Sequence, residues 1–293
     1  MPLRPGQRDI GEVEGSPFLI KRNGKYGIKV RLCAGMLNSN QLEALKEITE
    51  NYGIGELHLT VRQEVLIPKI KEEYLEHALK RLESVGLRGG SAGGRVRNIV
   101  ACAGSRYKNC VHDTVGIARE LDERYGEMEL PGAIKIGISG CGYPCNRPQF
   151  EDIGLIGRAK PVVDEEKCDG SGFCVELCLM KAIKLDENKK PVINRDKCRM
   201  CGRCIQNCPK EAISPEIKGF TVILGGKGTW PAFKGDTLAE MVKDEDIVPM
   251  VGKIIDYFKK NAQPGEGRLR PLIKRIGIEK LREDLLKGIE VLM

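Results

Sequence analysis

Eleven of the twelve cysteines in this 293-residue chain fall into tight groups. They are Cys102 and Cys110, Cys141 and Cys145, Cys168, Cys174 and Cys178, and Cys198, Cys201, Cys204 and Cys208. Cys33 stands alone, and a lone cysteine is by default a small buried apolar residue. The N-terminal MPLRPGQRDIGEVEG is polar and carries Gly and Pro, so it does not read as a signal peptide. A cytoplasmic, reducing compartment is expected, where disulfides rarely persist. Metal ligation is the chemistry left for the grouped thiols. The run CRMCGRCIQNCP (198–209) has the spacing C-x2-C-x2-C-x3-C-P. A zinc site normally takes two separated cysteine pairs. Four thiols in eleven residues suit an iron–sulfur cluster, with the fourth cysteine serving a second cluster.

That spacing resembles the bacterial-type ferredoxin run. KCDGSGFCVELC (167–178) resembles its partner half, with Ser171 in the place of one cysteine. Crossed ligation then assigns Cys198, Cys201, Cys204 and Cys178 to one 4Fe–4S cluster. Cys168, Cys174 and Cys208 are left for the other. A serine hydroxyl is far harder to deprotonate than a thiol of pKa ~8.5. Three outcomes stay open: a 3Fe–4S cluster, a 4Fe–4S cluster completed by Ser171, Asp169 or water, or no cluster in this half. Cys102, Cys110, Cys141 and Cys145 form a further set suited to a third cluster.

These side chains need elements to hold them. KYGIKVRL (25–32) alternates and predicts a strand. Asn38 or Ser39 can cap a helix carrying Leu42, Leu45 and Ile48. ELHLTVRQ (56–63) alternates again, which puts His58, Thr60 and Arg62 opposite Leu57, Leu59 and Val61. A second helix carries Leu75, Ala78, Leu79 and Leu82. GLRGGSAGG (86–94) reads as a loop, 114–125 as a helix, and 133–141, 152–157 and 219–228 as strands. An amphipathic helix follows over 245–260 despite Pro249, then two short helices broken by Gly277. The pattern predicts an α+β fold. Residues 161–217 are dense in Cys, Asp and Lys, and a segment so small usually needs metal to fold. It reads as a compact module inserted into one α+β body.

Composition narrows the partners. Aromatic residues are 5% of the chain, too few for a base-stacking platform, so no nucleic acid is expected. A formal charge of +7, mixed from 48 basic and 41 acidic residues, suits small anions or an acidic partner. No apolar run approaches the ~18 residues of a membrane span.

Six segments together resemble the sirohaem-dependent sulfite and nitrite reductases, particularly the small anaerobic and dissimilatory type with an inserted ferredoxin module. They are VRLCAG (30–35), TVRQ (60–63), RNIVAC (97–102), LPGAIKIGISGC (130–141), ISGCGYPCNRPQFEDIGLIG (138–157) and GFTVILGGKG (219–228). The resemblance implies mixed sheets with packed helices and a sirohaem against a 4Fe–4S cluster. The cluster ligands would be Cys102, Cys110, Cys141 and Cys145, with Cys145 shared as the haem's axial ligand. Arg31, Arg97 and Lys135 match positions that bind the substrate anion. Arg62, Gln63 and Lys227 match positions that contact the macrocycle or its carboxylates. The chemistry agrees, since a carboxylate-rimmed cofactor and a dianion call for Arg forks and Lys charges. Implied too are reduction of sulfite to sulfide, with nitrite as an alternative substrate, an electron-donor protein, and a homo-oligomer or heteromer. A non-catalytic electron-transfer protein derived from the family is a second reading. The implied organisation is an N-terminal arm (1–15), a ferredoxin-like half-domain (16–88), the sirohaem/4Fe–4S domain in two parts (89–160 and 218–293) and the insert (161–217).

Three positions depart from the family pattern. Seven residues separate Cys102 from Cys110, so the loop between them must bulge or Cys110 is not a ligand. Ala133 stands where relatives carry a lysine, and Arg106 or Lys108 is a candidate substitute. Cys33 replaces a proline and reads as buried and apolar, with a place near the sirohaem the other option. His58 shares a strand face with Arg62 and can edge the pocket, His77 reads as solvated, and the three histidines form no metal-like spacing.

Overall fold

A computed structural model describes residues 10–13, 16–90, 92–107, 109–126, 128–289 and 291. Among the described residues, two large sheets carry the chain, each with its own apolar core, and a third sheet has only two strands. The first begins with β1 (Ile10–Val13), within the expected N-terminal arm, paired antiparallel to β2 (Ser16–Arg22). β3 (Lys25–Arg31) follows, and Asn38 then caps α1 (Ser39–Asn51) with a reciprocal bond from Gln41. That capping box satisfies two amide donors the helix leaves open. β4 (His58–Leu59), β5 (Val65–Ile70), α2 (Leu75–Ser84) and β6 (Arg88–Gly89) complete this half. Strand order is β1-β2-β3-β5-β4, with β6 also on β3. Ile28, Val30 and Ile67 of the strands close on Leu45 and Ile48 of α1 and Leu82 of α2, all buried.

The second sheet is mixed. β7 (Val100–Ala101), β8 (Ile136–Ser139) and β9 (Ile153–Val163) run parallel. α3 (Thr114–Tyr125), capped by Asp113, crosses between β7 and β8. After β9 come α4 (Phe173–Leu177), the hairpin β10 (Ile183–Leu185) and β11 (Pro191–Ile193), and α5 (Arg203–Asn207). β12 (Ile213–Leu224) then pairs antiparallel with the whole length of β9, from Ile213 opposite Val163 to Leu224 opposite Ile153. The segment 164–212 therefore leaves and re-enters at one end of a continuous ladder. β13 (Asp236–Val242), α6 (Asp244–Asn261), α7 (Leu269–Ile276) and α8 (Ile278–Leu285) finish the fold. Gly277, at φ +91°, separates the last two helices in a conformation only glycine adopts easily. Ile136, Ile138, Phe220 and Val222 pack with Ile254 and Phe258 of α6 in the larger core.

One expectation fails here. The alternation over 56–63 yields a strand of two residues, because a turn begins at Thr60. The Thr60 hydroxyl accepts from the N–H groups of Arg62 and Glu64 at 3.3 and 3.1 Å, and Gln63 takes φ +59°. Side-chain bonds of this kind compete with the β ladder. Leu59 and Val61 consequently face outward, 72% and 98% exposed, and His58 is exposed too. Among the described residues, no helix is long and apolar enough to cross a membrane.

Candidate functional site

The C-terminal ends of β7 and β8 lie side by side, and the first cysteine set gathers there. Cys102 directly follows β7 and Cys141 closely follows β8. The bulge required between Cys102 and Cys110 exists. A short 3-10 turn at Gly104–Arg106 and a Cys110 N–H bond to the Tyr107 carbonyl (3.0 Å) fold the loop back. The Val111 N–H then bonds to the Gly140 carbonyl (3.1 Å), setting Cys110 beside Gly140. The approach is so close that a Cβ at Gly140 would lie 2.0 Å from the Cys110 sulfur. Arg106 is exposed on this loop, and Lys108 lies outside the described residues. The Cys110 thiol lies 3.1 and 3.3 Å from the His112 and Gly140 carbonyls, which accept from it. The neighbouring Cys110 thiol and the Gly140 N–H bond to the Cys102 sulfur (3.2 Å) hold Cys102 below the usual thiol range, while Cys102 and burial push Cys110 up. Cys145 is exposed and lies within electrostatic reach of Cys141.

The segment 164–212 repeats one design twice. Gly172 and Gly202, at φ +73° and +78°, start α4 and α5. The Ala182 N–H points at the Cys178 sulfur and the Ala212 N–H at the Cys208 sulfur, both at 3.3 Å. One small cavity is lined by Cys178, Cys198, Cys201 and Cys204. The next is lined by Cys168, Cys174 and Cys208, together with Ser171 and Asp169. Cys204 and Leu177 belong to both walls. The first cavity brings together the four cysteines expected for one cluster, and the second the three expected for the other, with Cys204 added. Asp169 accepts from the backbone and hydroxyl of Ser171, which holds its carboxylate below the usual range. Burial and neighbouring thiols push Cys204 up to about 12 and raise Cys174 as well. Among the described residues no three His, Cys, Asp or Glu side chains converge on a single-ion site. The donor set fits thiolate-held clusters: one backbone N–H aims at each of Cys102, Cys178 and Cys208, and such bonds to sulfur tune clusters.

The cations lie toward the opposite end of the same strands. Arg97 precedes β7 and Lys135 precedes β8, with their backbones joined by an Arg97 N–H to Ile134 carbonyl bond (2.8 Å). About five residues of extended chain, roughly 16 Å at ~3.3 Å each, separate Arg97 from Cys102. The stretch Cys145–Glu151 returns along β8: Asn146 donates to the Ile138 carbonyl (2.8 Å) and Pro148 packs on Gly137. It delivers Glu151 to Arg62 at 2.9 Å, and Arg62 also donates to the Asn98 carbonyl at 2.6 Å. Among the described residues, the buried Nε of Arg62 and Oε1 of Gln149 have no hydrogen-bond partner. Lys135 is half-buried, and desolvation, then Arg62 and Arg268, lower its proton affinity. Lys227 is half-buried on a loop closed by paired backbone bonds with Phe233. Its neighbour Gly226 packs against Gln149–Glu151.

Two assignments change. Arg31 does not point freely into a cleft. It is buried, 6% exposed, and its Nε donates to Asp122 Oδ1 at 2.5 Å. Arg88 reaches the other oxygen of Asp122 at 3.3 Å. The pair forms one wall of a cavity of about 490 Å³, shared with Cys33, Arg88, Arg119 and Glu123. Cys33 is half-buried there, and burial lifts its thiol to about 12. Gln63 spends its amide on the chain itself, donating to the Ala101 carbonyl (2.8 Å) and accepting from the Ala101 N–H (3.0 Å). It clamps the residue before Cys102. His77 is exposed, as expected, and its ring stacks on Tyr52 at 6.2 Å.

Two residues were missed. Arg268 follows Gly267, whose carbonyl accepts from Ala133 (3.0 Å), and its side chain binds the buried Asp152 beside Lys135. It adds a cation next to the alanine that interrupts the family pattern, from a loop 135 positions away in sequence, so spacing gave no signal. His112 is 3% exposed and is held between Asp244 (2.9 Å) and the Arg158 carbonyl (3.1 Å).

This arrangement has counterparts among known proteins. Residues 92–291 match the family model of the nitrite and sulphite reductase 4Fe-4S domain, and residues 20–85 that of the nitrite/sulfite reductase ferredoxin-like half domain. An uncharacterised protein of Methanocaldococcus jannaschii is 33% identical over 93% of the chain and 95% of its own length. The coenzyme F420-dependent sulfite reductase of the same organism is 36% identical over 90% of the chain, which spans 43% of that relative. The crystal structure of dissimilatory sulfite reductase I superposes with a TM-score of 0.78 at 20% identity, covering 97% of this chain and 77% of that one. Cysteines at the ends of β7 and β8, a half-domain packed before them, and these matches over nearly the whole chain lead to one assignment: the chain belongs to the nitrite and sulphite reductase family.

Proposed function

We propose that the chain is a sirohaem sulfite reductase that converts sulfite to sulfide. The observation that carries the reading is the strand pair β7–β8, with Cys102, Cys110 and Cys141 at one end, half-buried cations at the other, and the exposed Cys145 on the segment that returns between them. The 36% identity to a sulfite reductase supports sulfite over nitrite as the anion. When bound, sirohaem and iron–sulfur clusters would supply the iron and relay the six electrons that this reduction takes from a donor protein. The chain does the rest. Cys102, Cys110, Cys141 and Cys145 would hold the cluster beside the haem as thiolates, and the exposed Cys145 would link that cluster to the haem.

Arg97, Lys135, Arg62 and Arg268 set a positive field for an anion and for cofactor carboxylates. Glu151 and Asp152 hold two of these cations in place, and Gln63 fixes the strand that leads into Cys102. Lys227 flanks the same segment. Arg31 acts from behind, paired to Asp122, rather than as a free anion ligand. Segment 164–212 is read as a ferredoxin module holding one cluster on Cys178, Cys198, Cys201 and Cys204 and another on Cys168, Cys174 and Cys208. Asp169 is the best non-cysteine ligand for the latter, being anionic while the Ser171 hydroxyl donates to it. Electrons enter from a donor protein at this module.

Turnover with reduced viologen tests the reading: sulfite should yield sulfide, and Cys145→Ser should abolish the activity. Normal turnover in that variant, or turnover of nitrite alone, contradicts it.

A further inference from the structure

Arg158 lies where the first cysteine set meets the set in the inserted segment. Its Nε donates to Thr221 Oγ1 (3.1 Å) and its Nη1 to the Arg199 carbonyl (3.0 Å), next to Cys198. On the other side is Gly142, the neighbour of Cys141. A Cβ at Gly142 would lie 3.0 Å from the Arg158 Nη1 and 2.8 Å from the Cys201 Cα. The two cysteine loops therefore touch through backbone, with a guanidinium lodged beside the contact. Three more bonds converge there. The Arg158 carbonyl accepts from His112, two residues beyond Cys110, and the Ala159 N–H donates to the Met200 carbonyl (2.8 Å). Asn109 and Asn207 join the same loops at 2.9 Å. Among the described residues, the Arg158 side chain gives its hydrogen bonds to a hydroxyl and a carbonyl, not to a carboxylate. Glu240 acts on it only through space.

We infer that Arg158 is a positioning residue that holds the Cys198–Cys204 loop against Gly142 and sets the electrostatics that the clusters on both loops share. The inference rests on the proposed reading that both sets hold iron–sulfur clusters. Each cluster gains negative charge on reduction. A fixed cation in a partly desolvated site stabilises the reduced form of its neighbours and raises their potentials. Cys141 and Cys201 both lie within its electrostatic reach. The Cys168, Cys174, Cys208 set lies beyond Cys204 and Leu177 and serves as an internal reference.

The test is a potentiometric titration followed by EPR on anaerobically purified full-length protein, after iron and acid-labile sulfide are counted. Arg158→Gln should lower both neighbouring potentials. At a fixed ambient potential, their reduced-to-oxidised ratios should fall about tenfold (~59 mV for one electron), while the reference cluster moves much less. Arg158→Lys keeps the charge and should stay within about twofold of wild type. Should Arg158→Gln lose iron from the inserted loop, retention in Arg158→Lys supports the assignment, and equal loss in both overturns it. Unchanged potentials in a fully loaded Arg158→Gln overturn the inference alone. Wild-type protein without iron in the inserted segment overturns the reading beneath it as well.

Discussion

Lys135 keeps its ammonium half-buried, and desolvation first, then the neighbouring Arg62 and Arg268 charges, lower its proton affinity from the ordinary 10.5. A lysine is charged below its pKa, so its contribution to anion binding is present at low and neutral pH and is lost as pH rises. Because the pKa is depressed, the loss begins below the ordinary lysine range. The KM for sulfite should therefore climb on the alkaline side, and Lys135→Arg should move that rise to higher pH. An unchanged profile would remove Lys135 from the site. Arg31 and Asp122 make a different case. Their side chains are 4% and 7% exposed, and removing one partner of a buried pair costs ~3–5 kcal/mol. Denaturant melts of Asp122→Ala should show a loss of that size, and wild-type stability would contradict the buried pairing. The outer cysteine set turns on Ser171 and Asp169. Ser171→Cys supplies the missing thiolate, so an EPR signal of an oxidised three-iron cluster, where wild type shows one, should vanish in that variant. If wild type shows eight irons in the insert and no such signal, Asp169→Ala should create one.

At the scale of elements, close backbone approach decides whether the first cysteine set can form. Gly140→Ala would drive a methyl group into the Cys110 sulfur and the Thr114 side chain. Iron analysis should show loss of the cluster on Cys102, Cys110, Cys141 and Cys145, with the iron of the inserted segment retained. Full iron content would show that this loop adjusts more easily than the geometry implies. Helices were the most legible elements, because Asn38, Asp113 and Gly277 mark their ends and apolar spacing marks their faces. The stretch 56–63 misled because strict alternation also fits two strand residues followed by a turn, and the turn depends on one hydroxyl, Thr60. Pairing of Arg31 with Asp122 was equally hidden. It joins residues 91 apart, and nothing local in either segment records the partner.

The whole molecule is two sheets with a cysteine-rich segment looped out of the second, and this plan follows from features that the chain displays locally. Cysteine spacing gave the groupings that line the two small cavities, since short loops allow few ways to present thiols. The separation of cysteines from cations along β7 and β8 was not legible. It depends on parallel register, which brings RNIVAC and AIKIGISGC side by side with the same polarity. Arg268 and Arg158 were invisible for the same reason, as each acquires its role from strands and loops that meet only in the fold. The central claim is that this fold holds sirohaem beside an iron–sulfur cluster and binds sulfite there. The most direct measurement is the absorption spectrum of anaerobically purified protein before and after sulfite is added. Sirohaem bands in the Soret and red regions that shift on addition of the anion are expected. Iron and acid-labile sulfide in the protein, with neither band present, would contradict the claim.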